Sequence, residues 1–329
     1  MDTSPRGFAE RLGHAIRCGM RAVVRWPRWL DPLKAVCLAF GVLLLKRGFM
    51  RGFQPPLQAD YGFGLAGRPT ESMLNGIVFF RGVFEPVLSE VIDRTVCEGD
   101  VCVDAGANAG YFTLLFARKV GAAGRVVAIE PVPGNVKRIE RNVAHNGFES
   151  RVRIAAAACS DVPGQATFHV NTRNDMHCRL HLPRKTEADY WLMGGRGSWR
   201  EITVATNTLA GILGAQAPEV SFVKLDIEGA EHLVVRDLIA HCVHPRLMVA
   251  LEAKAPHIRE TLEPFEKAGF HIYDLRNDYR WLLNTQVASP LACSYESLYE
   301  RKYMADVLVT REKLEVEGGP EKARPAAVA

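Results

Sequence analysis

From residue 81 onward the chain alternates between apolar runs dense in β-branched residues and stretches whose apolar residues recur at helical spacing. "VCVDAGA" (101–107), "RVVAIEP" (125–131), "VRIAAAAC" (152–159), "VSFVKLDIEG" (220–229) and "RLMVALEAK" (246–254) have the near-continuous hydrophobicity of strands covered on both faces. Helical spacing fills 110–120, 134–146, 230–242 and 257–268, and "GVFEPVLSEVIDRTV" sets Val83, Phe84, Val87, Leu88, Val91 and Ile92 on one face. Strand, helix, strand in this repetition predicts a doubly wound α/β fold with a mostly parallel sheet. "FHIYDLR" and "YMADVLVT" add two last strands, the second antiparallel.

The alternation fails between residues 160 and 219. "ATFHV" and "EITVAT" pattern as the two sides of a hairpin, separated by a long, polar, glycine-spotted stretch. A connection of that length with little periodicity is expected to be a functional lid or mobile loop. The predicted organisation is therefore a domain over 55–312 with an insert at about 171–200, an extension over 1–54, and a disordered tail over 313–329.

Charge changes the picture at the front of the chain only. The net charge is +4 over 329 residues, yet residues 1–54 hold ten Lys or Arg against three acids, a net of +7, which leaves about −3 for the rest. A nearly neutral body lacks the electrostatic footprint of a nucleic-acid binder, and no Asn-Pro-Pro-Tyr type base-methylation motif follows the fourth strand. "AVCLAFGVLLL" (35–45) is the most hydrophobic run, but eleven helical residues reach only about 16 Å, half a bilayer core. It is too short to span a membrane, and "KRGFMRG" after it offers no cleavage site for a signal peptide. Residues 1–54 read either as a peripheral membrane anchor, with Arg on anionic lipid and Trp26, Trp29, Phe40 and Leu43 in the interface, or as a basic helical extension packed on protein. The eight cysteines are scattered without a Cys-x-x-Cys pair, as expected of reduced thiols in a cytoplasmic protein.

In a doubly wound sheet the ligand lies beyond the carboxyl ends of the strands, where the winding reverses. "CVDAGANAGYF" (102–112) ends the first strand there. A dinucleotide fingerprint would read Gly-x-Gly-x-x-Gly with backbone against a pyrophosphate. Here Gly106-Ala107-Asn108-Ala109-Gly110 lacks the third glycine, and Asp104 precedes it. A carboxylate there repels phosphate and suits a ligand bearing an ammonium group. S-adenosylmethionine is such a nucleoside, with a sulfonium and no phosphate. Glu130 closes the second strand, where an acid can accept from both ribose hydroxyls. The alternatives are a helix cap for Asp104 and a solvated strand end for Glu130.

"VKLDIEGAEHLVVRDL" (223–238) carries the second constellation. Strand alternation puts Lys224, Asp226 and Glu228 on one side, with Asp226 near the tip facing the crevice. Asp226 reads as part of the site. Lys224 and Glu228 read equally as a salt bridge, and Glu231 as a helix-start acid favoured by the helix dipole.

"GVFEP", "VDAGANAGYFTLLFA", "VVAIEPVPGNVKRIERNVAHNG", "CSDVPGQATFHV", "VATNTLAGIL" and "FVKLDIEGAEHLVV" resemble, in that order, the FkbM family of S-adenosylmethionine-dependent methyltransferases. The resemblance runs from about Gly82 to Lys254 and more loosely to Thr310. It implies a class I, Rossmann-like domain with a seven-stranded sheet, and O-methylation of hydroxyls on sugars, glycolipids or secondary metabolites. Its cofactor motif falls on Asp104, Gly106, Asn108, Gly110, Glu130 and Asp226, with Ala107, Tyr111 and Pro131 flanking them. Ala210 departs from the family at a position that is commonly acidic.

Methyl transfer to an alcohol needs an in-line nucleophile stripped of its proton. Asp226 and Glu252 are the candidate catalytic bases, with His257 just beyond. The two carboxylates could instead share Mg²⁺, although no third oxygen ligand is evident. The bland readings are an ion pair of Glu252 with Lys254 or Lys224, and a helix-start role for His257. His177, Cys178 and His181 could in principle bind zinc, but three mixed ligands in a polar loop without a fourth nearby argue little for it, and the bland reading is a mobile acceptor lid. Trp191 and Trp199 could stack on a sugar or anchor the insert. The expected partner is a small-molecule or glycan acceptor. The alternative is a non-catalytic S-adenosylmethionine-binding protein of the same fold, held at a membrane by residues 1–54.

Overall fold

The computed structural model describes residues 57–69, 71–171, 199–276 and 289–314, the backbone at 178–179, and isolated positions between 18 and 37. The expected anchor or extension (1–54, apart from those positions), most of the insert with His177, His181 and Trp191, and the tail from 315 lie outside the described residues.

Among the described residues the central sheet has eight strands: β1 (Val101–Ala105), β2 (Arg125–Ile129), β3 (Val152–Ala155), β4 (Val220–Leu225), β5 (Met248–Lys254), β6 (His271–Asp274), β7 (Leu291–Ala292) and β8 (Met304–Thr310). Their order is β7-β6-β8-β5-β4-β1-β2-β3. Neighbours from β5 to β3 are parallel, and β8 runs antiparallel to β5 and β6 as the sequence suggests. The eighth strand is the two-residue edge piece β7, too short to leave a periodic signal.

Five helices matter for the site: α1 (Pro86–Thr95), α2 (Tyr111–Lys119), α3 (Pro133–Asn146), α4 (Glu231–His241) and α5 (Ile258–Lys267). β1 and β4 are buried along their whole length, as strands sandwiched between helices must be. One apolar cluster packs α1 and α2 on one face of the sheet; another packs α4 and α5 on the other. The winding passes from β1 outward to β3 and then back through β4, so the switch point lies between β1 and β4.

Two strands stop earlier than hydrophobicity implies. The run at 152–159 breaks after Ala155, and Ala158–Cys159 leaves for a second sheet with Gly164–Asn171, Cys178–Arg179 and Trp199–Asn207. The last and longest pairing there is the expected hairpin. The run at 220–229 ends at Leu225, because the Asp226 N–H bonds Ala105 O at 3.0 Å and Glu228 turns to φ 60°. Ala210 is served from elsewhere: its N–H donates to Asp237 Oδ2 of α4 at 2.7 Å, while Thr208 Oγ1 caps Gly211 N at 3.0 Å. A carboxylate from another helix thus takes the place of the missing local acid.

Candidate active site

The turn between β1 and α2 is built from left-handed residues: Gly106 at φ 79°, Asn108 at 52° and Gly110 at 88°. Gly106 is required for a second reason. A Cβ there would fall 1.8 Å from the Asp226 carbonyl oxygen, so β1 and β4 can approach only through a glycine. The N–H groups of Gly106 and Ala107 both reach Ile129 O, at 3.0 and 3.1 Å. Asn108 N donates to Glu130 Oε2 at 2.8 Å, and Glu130 Oε1 accepts from Val132 N at 2.9 Å and Asn135 Nδ2 at 3.3 Å. Glu130 is therefore no solvated strand end: only 4% exposed, it clamps the turn after β1 to the turn before α3. Burial pushes its carboxyl up to about 7 in spite of those three donors.

Asp104 is fully buried on β1. Its Oδ2 accepts from Thr113 Oγ1 at 2.6 Å, and the Thr113 backbone also donates, so it braces the first turn of α2 from a distance. Its Oδ1 has no hydrogen-bond partner and lies 3.9 Å from Lys224 Nζ. Burial raises the Asp104 pKa, and Lys224 opposes the rise. Tyr111 turns into the core, its ring 5.2 Å from that of Phe63 and its hydroxyl 3.3 Å from Ser89 Oγ. Pro131 is half-buried just beyond Glu130.

A cleft of about 270 Å³ including its mouth opens beside Asp226, lined among others by Glu85, Lys224, Asp226, Glu252 and Asp306. Lys224 Nζ lies 3.1 Å from Asp226 Oδ2, while Lys254 Nζ lies 2.7 Å from Glu252 Oε2 and 3.0 Å from Glu228 Oε2. The expected Lys224–Glu228 salt bridge is thus replaced by two separate groupings, because the chain turns at Glu228 and carries that carboxylate toward β5. Glu252 does pair with Lys254. Glu231 accepts from Ile227 N at 3.0 Å and Gly229 N at 3.2 Å, holding the loop after β4. His257 occupies the cap position of α5.

The other two carboxylates were not singled out from sequence. Asp306 lies opposite Glu252 in the β5–β8 register and is 9% exposed; Glu85 precedes α1 at φ 41°. Among the described residues neither carboxyl makes a side-chain hydrogen bond or ion pair. Burial and the neighbouring carboxylates push Glu85 up to about 8, net of the lowering by Lys224, and raise Asp306 well above its ordinary range. A charged residue inside the apolar run "MADVLVT" was the available signal for Asp306; Glu85 in "GVFEP" was read only for its apolar neighbours.

The methyltransferase FkbM domain matches residues 104–272 of this chain, a span that includes Asp104, Glu130, Asp226 and Glu252. The protein belongs to the FkbM methyltransferase family. No curated protein matches it significantly. Among solved structures, an S-adenosylmethionine-dependent O-methyltransferase from Thermotoga maritima matches at 15% identity and TM-score 0.36, covering 70% of this chain. The match takes in 65% of the Thermotoga chain, less than two thirds of its length. Aeropyrum pernix fibrillarin with natively bound S-adenosyl-L-methionine matches at 11% identity and TM-score 0.37, over 69% of this chain and 72% of that one. Precorrin-6y C5,15-methyltransferase from Geobacter metallireducens matches at 11% identity and TM-score 0.35, over 68% and 86%.

At the switch point a glycine turn clamped by Glu130 adjoins a carboxylate cleft beyond Asp226, two of whose lining residues, Glu85 and Asp306, lie outside the matched span. No helix among the described residues is long and apolar enough to cross a membrane.

Proposed function

We propose that this FkbM protein is an S-adenosylmethionine-dependent O-methyltransferase acting on a hydroxyl of a small-molecule or glycan acceptor, such as a sugar, glycolipid or secondary metabolite. The observation that carries this reading is the junction at the switch point: Gly106 and Asp226 meet backbone to backbone, which joins the nucleoside turn to the acidic cleft.

The residues suit that cofactor. Glu130 keeps one lone-pair site on Oε2, which has a single donor, for a ribose hydroxyl, and the turn presents a carboxylate rather than a phosphate nest. The buried Asp104 Oδ1, without a hydrogen-bond partner, is an open acceptor beside Lys224. When bound, the cofactor would supply an electrophilic methyl group on a sulfonium. The protein's task is to align the acceptor oxygen and take its proton.

Asp226 and Glu252 hold lysines at 3.1 and 2.7 Å, so each carboxyl is occupied by an ion-pair partner. They orient the cleft. Glu85 and Asp306 face the same cleft without ion-pair partners among the described residues, and their raised proton affinity makes each, once ionised, a stronger base for the hydroxyl proton than an ordinary carboxylate. Mg²⁺ does not fit here: the lysines occupy the carboxylates, and Asp226 and Glu252 do not converge with a third ligand among the described residues. No step is routed through it.

Calorimetric titration with S-adenosylmethionine, its demethylated product and NAD tests the proposal. Binding of the first two with NAD excluded is expected; tight binding of NAD alone overturns it. For residues 1–54 we propose peripheral contact with an anionic membrane surface, on their net charge of +7. The full chain should co-sediment with anionic vesicles and a chain starting at Gln54 should not; equal sedimentation refutes the contact.

A further inference from the structure

The helices that follow β4 and β5 start side by side, and their first turns gather three metal-ligating side chains. His232 is the second residue of α4, His257 caps α5, and Glu260 lies in the first turn of α5. The two imidazoles stack, with centroids 3.9 Å apart and planes 10° apart. His257 Nδ1 is 2.6 Å from Glu260 Oε2. One ligand atom from each of the three residues lies within 4.8 Å of the other two. Both histidines are half-buried and Glu260 is exposed.

We propose that His232, His257 and Glu260 form a site for a transition-metal dication of the zinc class. Two imidazoles and one carboxylate are the donors that zinc, cobalt and nickel take, whereas magnesium and calcium require oxygen ligands. A tetrahedral zinc at about 2.1 Å from each ligand sets the ligand atoms roughly 3.4 Å apart. Stacked parallel rings aim their nitrogen lone pairs along parallel planes. His257 must therefore tilt out of the stack and Glu260 rotate for the three donors to converge, which their positions at the cap and in the exposed first turn of α5 allow. Three protein ligands leave the fourth position to water.

The location gives such an ion a task. The loop after β4 carries Asp226 and Glu228 and is held by Glu231, next to His232; β5 carries Glu252 and Lys254 shortly before His257. A metal joining the starts of α4 and α5 would fix these two loops against each other, and with them one wall of the cleft. The donors are separate from the cleft carboxylates, so the site stands whether or not the methyltransferase proposal does.

The test is titration of the untagged, chelator-treated full chain with Zn²⁺ and Co²⁺, with Mg²⁺ as control. One equivalent of Zn²⁺ should bind and raise the melting temperature, and Co²⁺ should give a visible d–d band. The double variant His232→Ala/His257→Ala should lose the band. Glu260→Gln, at an exposed position that leaves the fold intact, should weaken binding at least tenfold. Far-UV circular dichroism and the urea midpoint of each metal-free variant report on its folding independently. The proposal is overturned by any of three results: no saturable binding, zinc affinity unchanged in the double variant and in Glu260→Gln, or loss of binding only in a His177→Ala/His181→Ala variant.

Discussion

On the glycine-turn side of the switch point, every carboxylate oxygen of Glu130 already meets a donor, and two of the three donors are backbone N–H groups within the same pair of turns. On the cleft side, Glu85, Asp226, Glu252 and Asp306 come from four different elements, and only two of them hold a lysine among the described residues. The first half is a rigid cradle set by local geometry. The second is a crowd of carboxyl groups held together by the sheet, and burial with mutual repulsion raises the proton affinity of Glu85, Glu252 and Asp306. Rigidity suits recognition of one fixed ligand; poorly compensated carboxylates suit the movement of protons.

The most damaging way to break this division is at the point where the halves touch. Gly106→Ala would drive a Cβ against a backbone carbonyl at 1.8 Å and also strain a residue at φ 79°. Neither atom is a flexible side chain that can step aside. Urea denaturation should show a loss of about 4 kcal/mol or more, at the severe end for a single substitution, with cofactor binding abolished. A loss below about 1 kcal/mol would mean that the halves are not locked together.

Next in size is the dependence of stability on pH. Glu130 titrates near 4.5 when unfolded and near 7 when folded, so its carboxyl is neutral in both states at low pH and ionises first in the unfolded chain. Stability is therefore full below about pH 4.5 and falls as pH rises toward 7, by on the order of 3 kcal/mol. Glu85 acts in the same direction up to about pH 8, less strongly because it is partly exposed. Unliganded protein should have a lower urea midpoint at pH 8 than at pH 5, and Glu130→Gln should flatten that slope more than Glu85→Gln. Equal slopes in the wild type and Glu130→Gln would dismiss the buried clamp.

The two halves also differed in how far sequence revealed them. The strands and helices of the sheet were legible because burial on both faces writes itself into long apolar runs. The Asp104–Gly110 turn was legible because a left-handed turn between strand and helix restricts which residues can stand there. Glu85 and Asp306 lie 221 residues apart in the chain, and only the antiparallel return of β8 beside β5 brings Asp306 opposite Glu252. Lys224 shows the same limit from the other side. Strand alternation linked it to Glu228, but the chain leaves strand geometry at Asp226 and the partners become Asp226 and Asp104. Periodicity describes an element while it lasts and says nothing about the turn that ends it.

The smallest effect separates the halves most cleanly, because it compares two buried-carboxylate substitutions against one ligand. In the proposed site Glu130 meets the ribose, and replacing its carboxylate by an amide removes charge-assisted hydrogen bonds worth roughly 1.5–3 kcal/mol. The demethylated cofactor should then bind about 10- to 100-fold more weakly to Glu130→Gln. Glu85 lines the cleft beyond Asp226, which the proposal gives to the acceptor. Glu85→Gln should leave that affinity within about twofold while slowing methyl transfer by roughly 10²-fold or more, the range for loss of a general base. If Glu85→Gln weakened the cofactor as much as Glu130→Gln did, the carboxylate cleft would be part of the cofactor site, and the proton acceptor would have to be sought in the insert.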